Sequence, residues 1–122
     1  VIKKRPRLVV TTEPNDIMQP IEIVNMNVEK PHHPWDVVCD RSSVLGSKFY
    51  LKGDESRRDL VCDSHQHRFD NEVLCFHHWG EYVELMRIRA LYRKYKKLRL
   101  FCWCAPKRCH TETYKKWLEA HI

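Results

Sequence analysis

The sequence predicts a small α/β domain with a mostly parallel sheet flanked by helices, Rossmann-like in its wiring. Three stretches carry that prediction. The run "IEIVNMN", Ile21 to Asn27, alternates apolar and polar residues, the period-two pattern of a strand with one buried face. Tyr82, Leu85, Ile88, Tyr92 and Tyr95 recur at steps of three and four, which draws one apolar stripe along a helix. "LRLFCWC", Leu98 to Cys104, is apolar and aromatic enough for a buried strand.

The remaining elements follow in order. Residues 1–20 read as a basic N-terminal extension carrying Lys3, Lys4, Arg5 and Arg7, and residues 21–122 as one compact domain. Pro20 stands just before the first strand. "KPHHPWD" is a loop because two prolines restrict it, and "WDVVCD" is a second short strand. "RSSVLGSKFYLKGD", punctuated by Gly46 and Gly53, reads as a long functional loop or a structured turn. Asp54 or Ser56 caps a helix through "RRDLVCDSHQHRF" whose apolar face is Leu60, Val61 and Phe69. The striped helix runs from about Asn71 to Lys97, with Arg87, Arg93, Lys94 and Lys97 off the stripe. "HTETYKKWLEAHI" closes the chain as an amphipathic helix with Tyr114, Trp117 and Leu118 inward. Helical crossovers between strands make the sheet parallel, and such sheets hold ligands beyond the carboxyl ends of their strands. That rule brings Cys102 to His110 and Asp40 to Phe49 to one rim.

Composition narrows the function classes. With 43% hydrophobic and 31% charged residues the chain is neither disordered nor membrane-embedded, and no run approaches the roughly 18 apolar residues of a membrane span. The basic start is followed only by "LVV", too little for a secretory signal. A cytoplasmic protein with six reduced cysteines is expected. The net charge of +6 and pI near 9.1 point to polyanion partners. From Leu85 through Thr111 there is no acid, while Arg87, Arg89, Arg93, Lys94, Lys96, Lys97, Arg99, Lys107 and Arg108 fall inside. This stretch is either a solvated helix face or, with Tyr92, Tyr95 and Trp103 interleaved, a surface for a phosphate backbone.

The run "FCWCAPKRCH", Phe101 to His110, leaves three readings open. Cys102, Cys104, Cys109 and His110 are soft or borderline donors suited to tetrahedral zinc, although adjacent residues at a helix start project about 100° apart. Cys102 and Cys104 are alternatively small buried hydrophobes. In the favoured reading Cys109 opens the last helix beside Lys107 and Arg108, which lowers its thiol pKa, and the free amides of that turn hold a phosphate. Cys109 and His110 then serve as nucleophile, acid or anion ligand. Two further sets are weighed: His65, His67, His77 and His78 with Cys62 or Cys75 as a metal cluster, and Asp36, Asp40 and Glu112 as carboxylates for Mg²⁺-assisted hydrolysis.

The pattern Cys-x-Cys-x-Pro-x-x-Cys-His resembles the signature of domain-of-unknown-function family 4326, small proteins of phages and bacteria. "RSSVLGSKF" at Arg41 to Phe49 and "ESRRDL" at Glu55 to Leu60 are similar to its upstream elements. Ser47 and Lys48 stand where the family has Asn-Pro, and Thr111 and Glu112 where it has Gly-Asp. The resemblance implies a fold and a site more than a reaction. The expected rim is Arg41, Gly46, Arg57, Cys102, Cys104, Cys109, His110 and Glu112. Within it Arg41, Arg57, Lys107 and Arg108 bind phosphate, joined by Arg93, Lys94 and Lys97 if the ligand is a nucleic acid. Gly46 permits close backbone approach, and His110, Cys109 and Glu112 are the catalytic candidates. The expected function is nucleic-acid or nucleotide processing, with cleavage of a phosphodiester or N-glycosidic bond and zinc or Mg²⁺ as possible cofactor. Two alternatives stand beside it, a non-catalytic module for DNA or a host protein, and a sensor of a nucleotide derivative.

Overall fold

The computed structural model describes residues 18–49, 51–76 and 79–122. Lys3, Lys4, Arg5, Arg7, His77 and His78 lie outside the described residues. The chain forms a small α/β fold around a three-stranded parallel sheet in the order β1-β3-β2. The strands are β1 (Glu22–Asn25), β2 (Asp36–Val38) and β3 (Arg99–Cys102), and the helices are α1 (Arg58–Arg68), α2 (Leu74–Phe76), α3 (Trp79–Tyr95) and α4 (Thr111–Ala120).

The last strand in sequence is the middle one in space. Leu100, Phe101 and Cys102 are all buried in succession, and because neighbouring side chains of a strand point to opposite faces, both faces of β3 are covered. Glu22 pairs with Arg99 and Asn25 with Cys102 on one side, and Asp36 pairs with Arg99 on the other. The link between β1 and β2 departs from expectation, since it is a loop without a helix. The physical reason is length. A four-residue strand spans only about 13 Å, and the intervening residues 26–35 can reach back that far unaided. At the returning end Arg99 ties the loop to the sheet, donating through Nε to Asp36 at 2.8 Å and through a terminal nitrogen to Glu29 at 2.5 Å.

Helix boundaries differ from the sequence expectation in two places. Asp54 caps a short 3-10 turn, Glu55–Arg57, by accepting from the Ser56 amide at 3.0 Å, and α1 continues from that turn. Its inward face is Cys62, His65 and Phe69, not the Leu60, Val61 and Phe69 expected from hydrophobicity. Leu60 is 60% exposed, because a helix rotated to bury Phe69 also buries positions four and seven residues earlier. The long helix expected from Asn71 is broken as well. A π-helical turn, Phe69–Val73, precedes α2, and α3 begins only at Trp79. Phe69 and Val73, the first and last residues of this turn, both enter the core. Helix α3 stops at Tyr95, where Lys96 turns left-handed at φ 63°, so Lys97 belongs to the following loop.

The core joins Leu85, Ile88 and Tyr92 of α3 and Tyr114 and Leu118 of α4 to Val37, Leu100 and Leu45. Tyr82 and Tyr95 from the predicted stripe are only partly buried. Of the described helices, none is long and apolar enough to cross a membrane.

Candidate functional site

Two loops leave the carboxyl ends of β2 and β3 and build a rim between them. The first folds back on itself. Asp40 accepts from the Ser42 amide at 2.9 Å and from the Ser42 hydroxyl, while its carbonyl accepts from the Ser43 amide at 3.0 Å. Gly46 closes the turn: a Cβ there would stand 2.5 Å from the Asp40 carbonyl oxygen and 2.6 Å from the Arg41 Cα. The glycine therefore permits a close approach within the chain itself, of the turn to the backbone of Asp40 and Arg41. Leu45 is fully buried and its carbonyl accepts from the Tyr114 hydroxyl at 2.8 Å, so the loop is pinned to α4.

The second loop is held from three directions. Asn25, last residue of β1, donates to the carbonyls of Ala105 at 2.7 Å and Trp103 at 3.2 Å. Arg58 of α1 donates to the Arg108 carbonyl at 2.9 Å, and Arg108 in return bonds Asp59 at 2.9 Å and Asp63 at 2.7 Å. The peptide bond between Ala105 and Pro106 is cis. His110 caps the start of α4 without a side-chain bond to it, and its Nε2 donates instead to the Cys39 carbonyl at 2.5 Å. That bond fixes the neutral tautomer with Nδ1 as acceptor. Burial pushes the His110 pKa below the ordinary imidazole value, against the pull of the Cys39 carbonyl.

The loops meet through side chains. The Trp103 indole donates to Asp40 at 2.9 Å, and with the Ser42 bonds it holds the Asp40 carboxyl below the usual carboxylate range. Between them opens a cleft of about 660 Å³, lined by Asp40, Arg41, Ser42, Lys52, Trp103 and His110 among others. It continues into a smaller recess against Phe49, Arg58, Cys104 and Cys109. Trp103 is 48% exposed over the cleft.

Cys102, Cys104 and Cys109 sit at or beneath this rim, and all six cysteines of the chain are free thiols. Cys109 is 4% exposed and its Sγ lies 3.4 Å from Sγ of Cys102 and 2.6 Å from the Thr111 hydroxyl. Bonding to Cys102 and Cys104, then burial, pushes the Cys109 thiol far up. This corrects the expectation of a lowered thiol there: Arg108, which was to lower it, is spent on Asp59 and Asp63. Cys104 is lowered, to about 5, by the neighbouring Cys109 thiol and by the Arg58 guanidinium, both of which share the recess with it. Cys102, which accepts the Cys109 thiol proton at 3.4 Å, is lowered as well, to about 6; both thiols line the cleft, and Cys104 alone of the two shares the recess with the Arg58 cation.

The structure thus brings His110, Arg41, Cys102 and Cys104 to one cleft and sets Cys109 just behind it. Glu112 is elsewhere, lining a separate hollow of about 780 Å³ with Lys107, Lys115 and Lys116. Arg57 is partly buried, with an Nε that has no hydrogen-bond partner. Arg93 and Lys94 are exposed on the last turn of α3, and Lys97 lies over the Trp35 ring in a groove with Glu22, Leu98 and Arg99. That groove is at the amino ends of the strands, the opposite end of the sheet from the cleft. Asp36 is bound to Arg99 there, so Asp36, Asp40 and Glu112 do not converge. Among the described residues no three His, Cys, Asp or Glu side chains form a group able to hold a metal ion. His110 is turned to Cys39, His65 is buried and His67 is exposed.

The family model described as Domain of unknown function (DUF4326) matches residues 24–120. The chain belongs to that family. No curated protein and no solved structure matches it. In this DUF4326 member, sequence reasoning brought Ser42 to the rim only within the run Asp40 to Phe49, missed Lys52 and Arg58 as cleft residues and gave Trp103 only a backbone-tracking role. The signal was the position just past a strand's carboxyl end, which Asp40, Ser42 and Trp103 share.

Proposed function

We propose that this protein binds a nucleotide, or a nucleotide unit of a larger molecule, in the cleft beyond β2 and β3 and cleaves it there at an N-glycosidic or phosphodiester bond. The observation that carries the reading is the joining of Trp103 and Asp40 across a cleft that also presents Arg41 and Lys52. An exposed indole face stacks on a base, the cations take phosphate, and an ionised carboxylate beside them suits a sugar hydroxyl or a positive charge developing on the sugar. The size falls within the roughly 300–1,000 Å³ of small-molecule sites. For the N-glycosidic case the bond from the sugar carbon to the base nitrogen breaks and water adds to that carbon. Asp40 stabilises the sugar cation, and Nδ1 of His110 accepts the proton of the attacking water and passes it to the departing base.

The parallel sheet with its crevice at the carboxyl ends supports a reduced Rossmann-like arrangement as part of this proposal. The free thiols support a reducing, cytoplasmic setting. The basic stretch gives less support to a nucleic-acid track, because Arg87 is paired to Glu84, Arg89 donates to the His121 carbonyl and Arg99 holds Asp36.

The test is titration of the purified protein with mononucleotides, an ADP-ribose-like dinucleotide, single strands and duplex DNA, with release of free base or phosphate followed by chromatography. Trp103→Ala is expected to weaken binding about tenfold, given about 1–3 kcal/mol for a stacked base. Asp40→Asn is expected to lower cleavage by about 100-fold. Binding that ignores both cleft variants and disappears when Arg93, Lys94 and Lys97 are reversed replaces this reading with the non-catalytic DNA-binding module. Tight binding without any product replaces it with the nucleotide-derivative sensor.

A further inference from the structure

The thiols under the rim do more than fill space. Cys109 is central among them: its Sγ is 3.4 Å from Sγ of Cys102, and it lines one small recess together with Cys104. The three differ in access. Cys102 and Cys109 are buried, at 1% and 4% exposure, whereas Cys104 forms part of the wall of both the cleft and its recess. The Arg58 guanidinium lines the same recess from the side of α1, and it is held in place by Glu55 at 2.8 Å and by the Arg108 carbonyl. A thiol that opens to solvent and shares a recess with a fixed cation and a second thiol is the arrangement of a redox-sensitive pair.

We propose that Cys104 is an oxidation site for hydroperoxides and that Cys109 is its resolving thiol, so that oxidation closes a Cys104–Cys109 disulfide in the wall of the cleft. In the first step the Cys104 sulfur attacks the peroxide. The oxygen–oxygen bond breaks, a sulfur–oxygen bond forms, and the alcohol, or water from hydrogen peroxide, leaves with the thiol proton. In the second step the Cys109 sulfur attacks the Cys104 sulfenic acid, the sulfur–sulfur bond forms, and the hydroxyl departs as water with the Cys109 proton. The peroxide gains the two electrons that the thiols lose. Cys102 is screened from the peroxide by burial and does not start the reaction. The inference does not depend on which ligand the cleft takes.

The disulfide would fasten the two ends of the loop from Cys104 to Cys109, which already carries a bond from the Lys107 amide to the Cys104 carbonyl at 2.9 Å. Trp103 and His110 flank that loop, so its fixing acts directly on the rim. Reduction by a small dithiol restores the open form.

Cys75 supplies an internal control, because it is exposed but its thiol donates only to the Asp70 carbonyl at 3.2 Å. The chelator-washed full chain is exposed to limiting hydrogen peroxide, and its thiols are mapped by mass spectrometry after alkylation without reduction. The expected result is loss of two hydrogens from the peptide pair containing Cys104 and Cys109, with Cys104 consumed about tenfold faster than Cys75. Cys109→Ser is expected to leave a sulfenic acid on Cys104 that a cyclic 1,3-dione captures, and Cys104→Ser to abolish the intramolecular disulfide. The wild-type map alone decides the matter if either variant fails to fold. Cys75 reacting as fast as Cys104, a disulfide through Cys102, or stoichiometric zinc retained on these thiols in the washed protein would each overturn the proposal.

Discussion

Acid should weaken this fold through one buried imidazole. His65 is 2% exposed, neither ring nitrogen has a hydrogen-bond partner, and its ring meets those of His110 and Tyr114 edge-on, each at 5.4 Å. Burial is the main cause that lowers its pKa to about 4, helped by His110, Arg68 and Lys48 and opposed by Glu81. In the unfolded chain the same group titrates near 6.5. Because the unfolded state takes up the proton first, stability is full above about pH 6.5 and falls as the pH drops towards about 4. Between about pH 7 and about pH 5 the loss attributable to His65 is about 2 kcal/mol, on the rule that one pKa unit is worth about 1.4 kcal/mol. His65→Phe keeps an aromatic ring in the slot and removes the titration. Urea unfolding at both pH values, in both proteins, gives the comparison. The wild type should lose about 2 kcal/mol more than the variant over that interval. His110, whose pKa is also lowered by burial, titrates in both proteins and does not create the difference. Equal losses in the two proteins would mean that His65 is hydrogen-bonded or hydrated in solution, and the reasoning would fail.

Three further substitutions test what shapes the first loop and holds the far end of the sheet. Gly46→Ala drives a methyl group against the backbone of Asp40 and Arg41, so it should cost about 2 kcal/mol or more in urea unfolding. Gly53→Ala, at φ 79° with open space around its Cβ position, should cost only about 1 kcal/mol; equal costs would show that the first loop yields easily. Arg99→Met leaves the Asp36 carboxylate, 1% exposed, without its guanidinium, and should destabilise by about 3 kcal/mol. Arg99 and the amides of His32 and His33 hold Asp36 well below the usual carboxylate range despite its burial. That part of the stability is therefore present above about pH 4 in the wild type, and a variant that unfolds at the wild-type urea midpoint would refute it.

How far the sequence was legible depends on whether a residue's role is local or assembled. The strands could be read because alternation in "IEIVNMN" and the apolar run around Phe101 report burial directly. The parallel order and the rim followed from topology. The rotation of α1 could not be read, because its buried face is built from Cys62 and His65, residues that hydrophobicity scales rank as ambiguous. The π-helical turn was hidden for the same reason: it answers to the packing of Phe69 and Val73 on elements far away in sequence.

The cysteine run shows the limit most clearly. Its spacing places three thiols together, and the sequence says so, but which one is reactive is decided by partners that lie elsewhere in the chain. Arg108 is beside Cys109 in sequence, yet in space it bonds Asp59 and Asp63 of α1. Arg58, some 46 residues before Cys104 in the numbering, supplies the cation that Cys104 uses. Charge proximity along a chain is a poor guide to charge proximity in a fold, because an exposed cation is free to choose the nearest carboxylate that the packing offers. The helix α1, with Asp59 and Asp63 on one flank and Arg58 at its start, thus does two things at once. It draws Arg108 away from Cys109 and brings a fixed guanidinium into the recess that Cys104 lines, at the end of the loop that opens on the cleft.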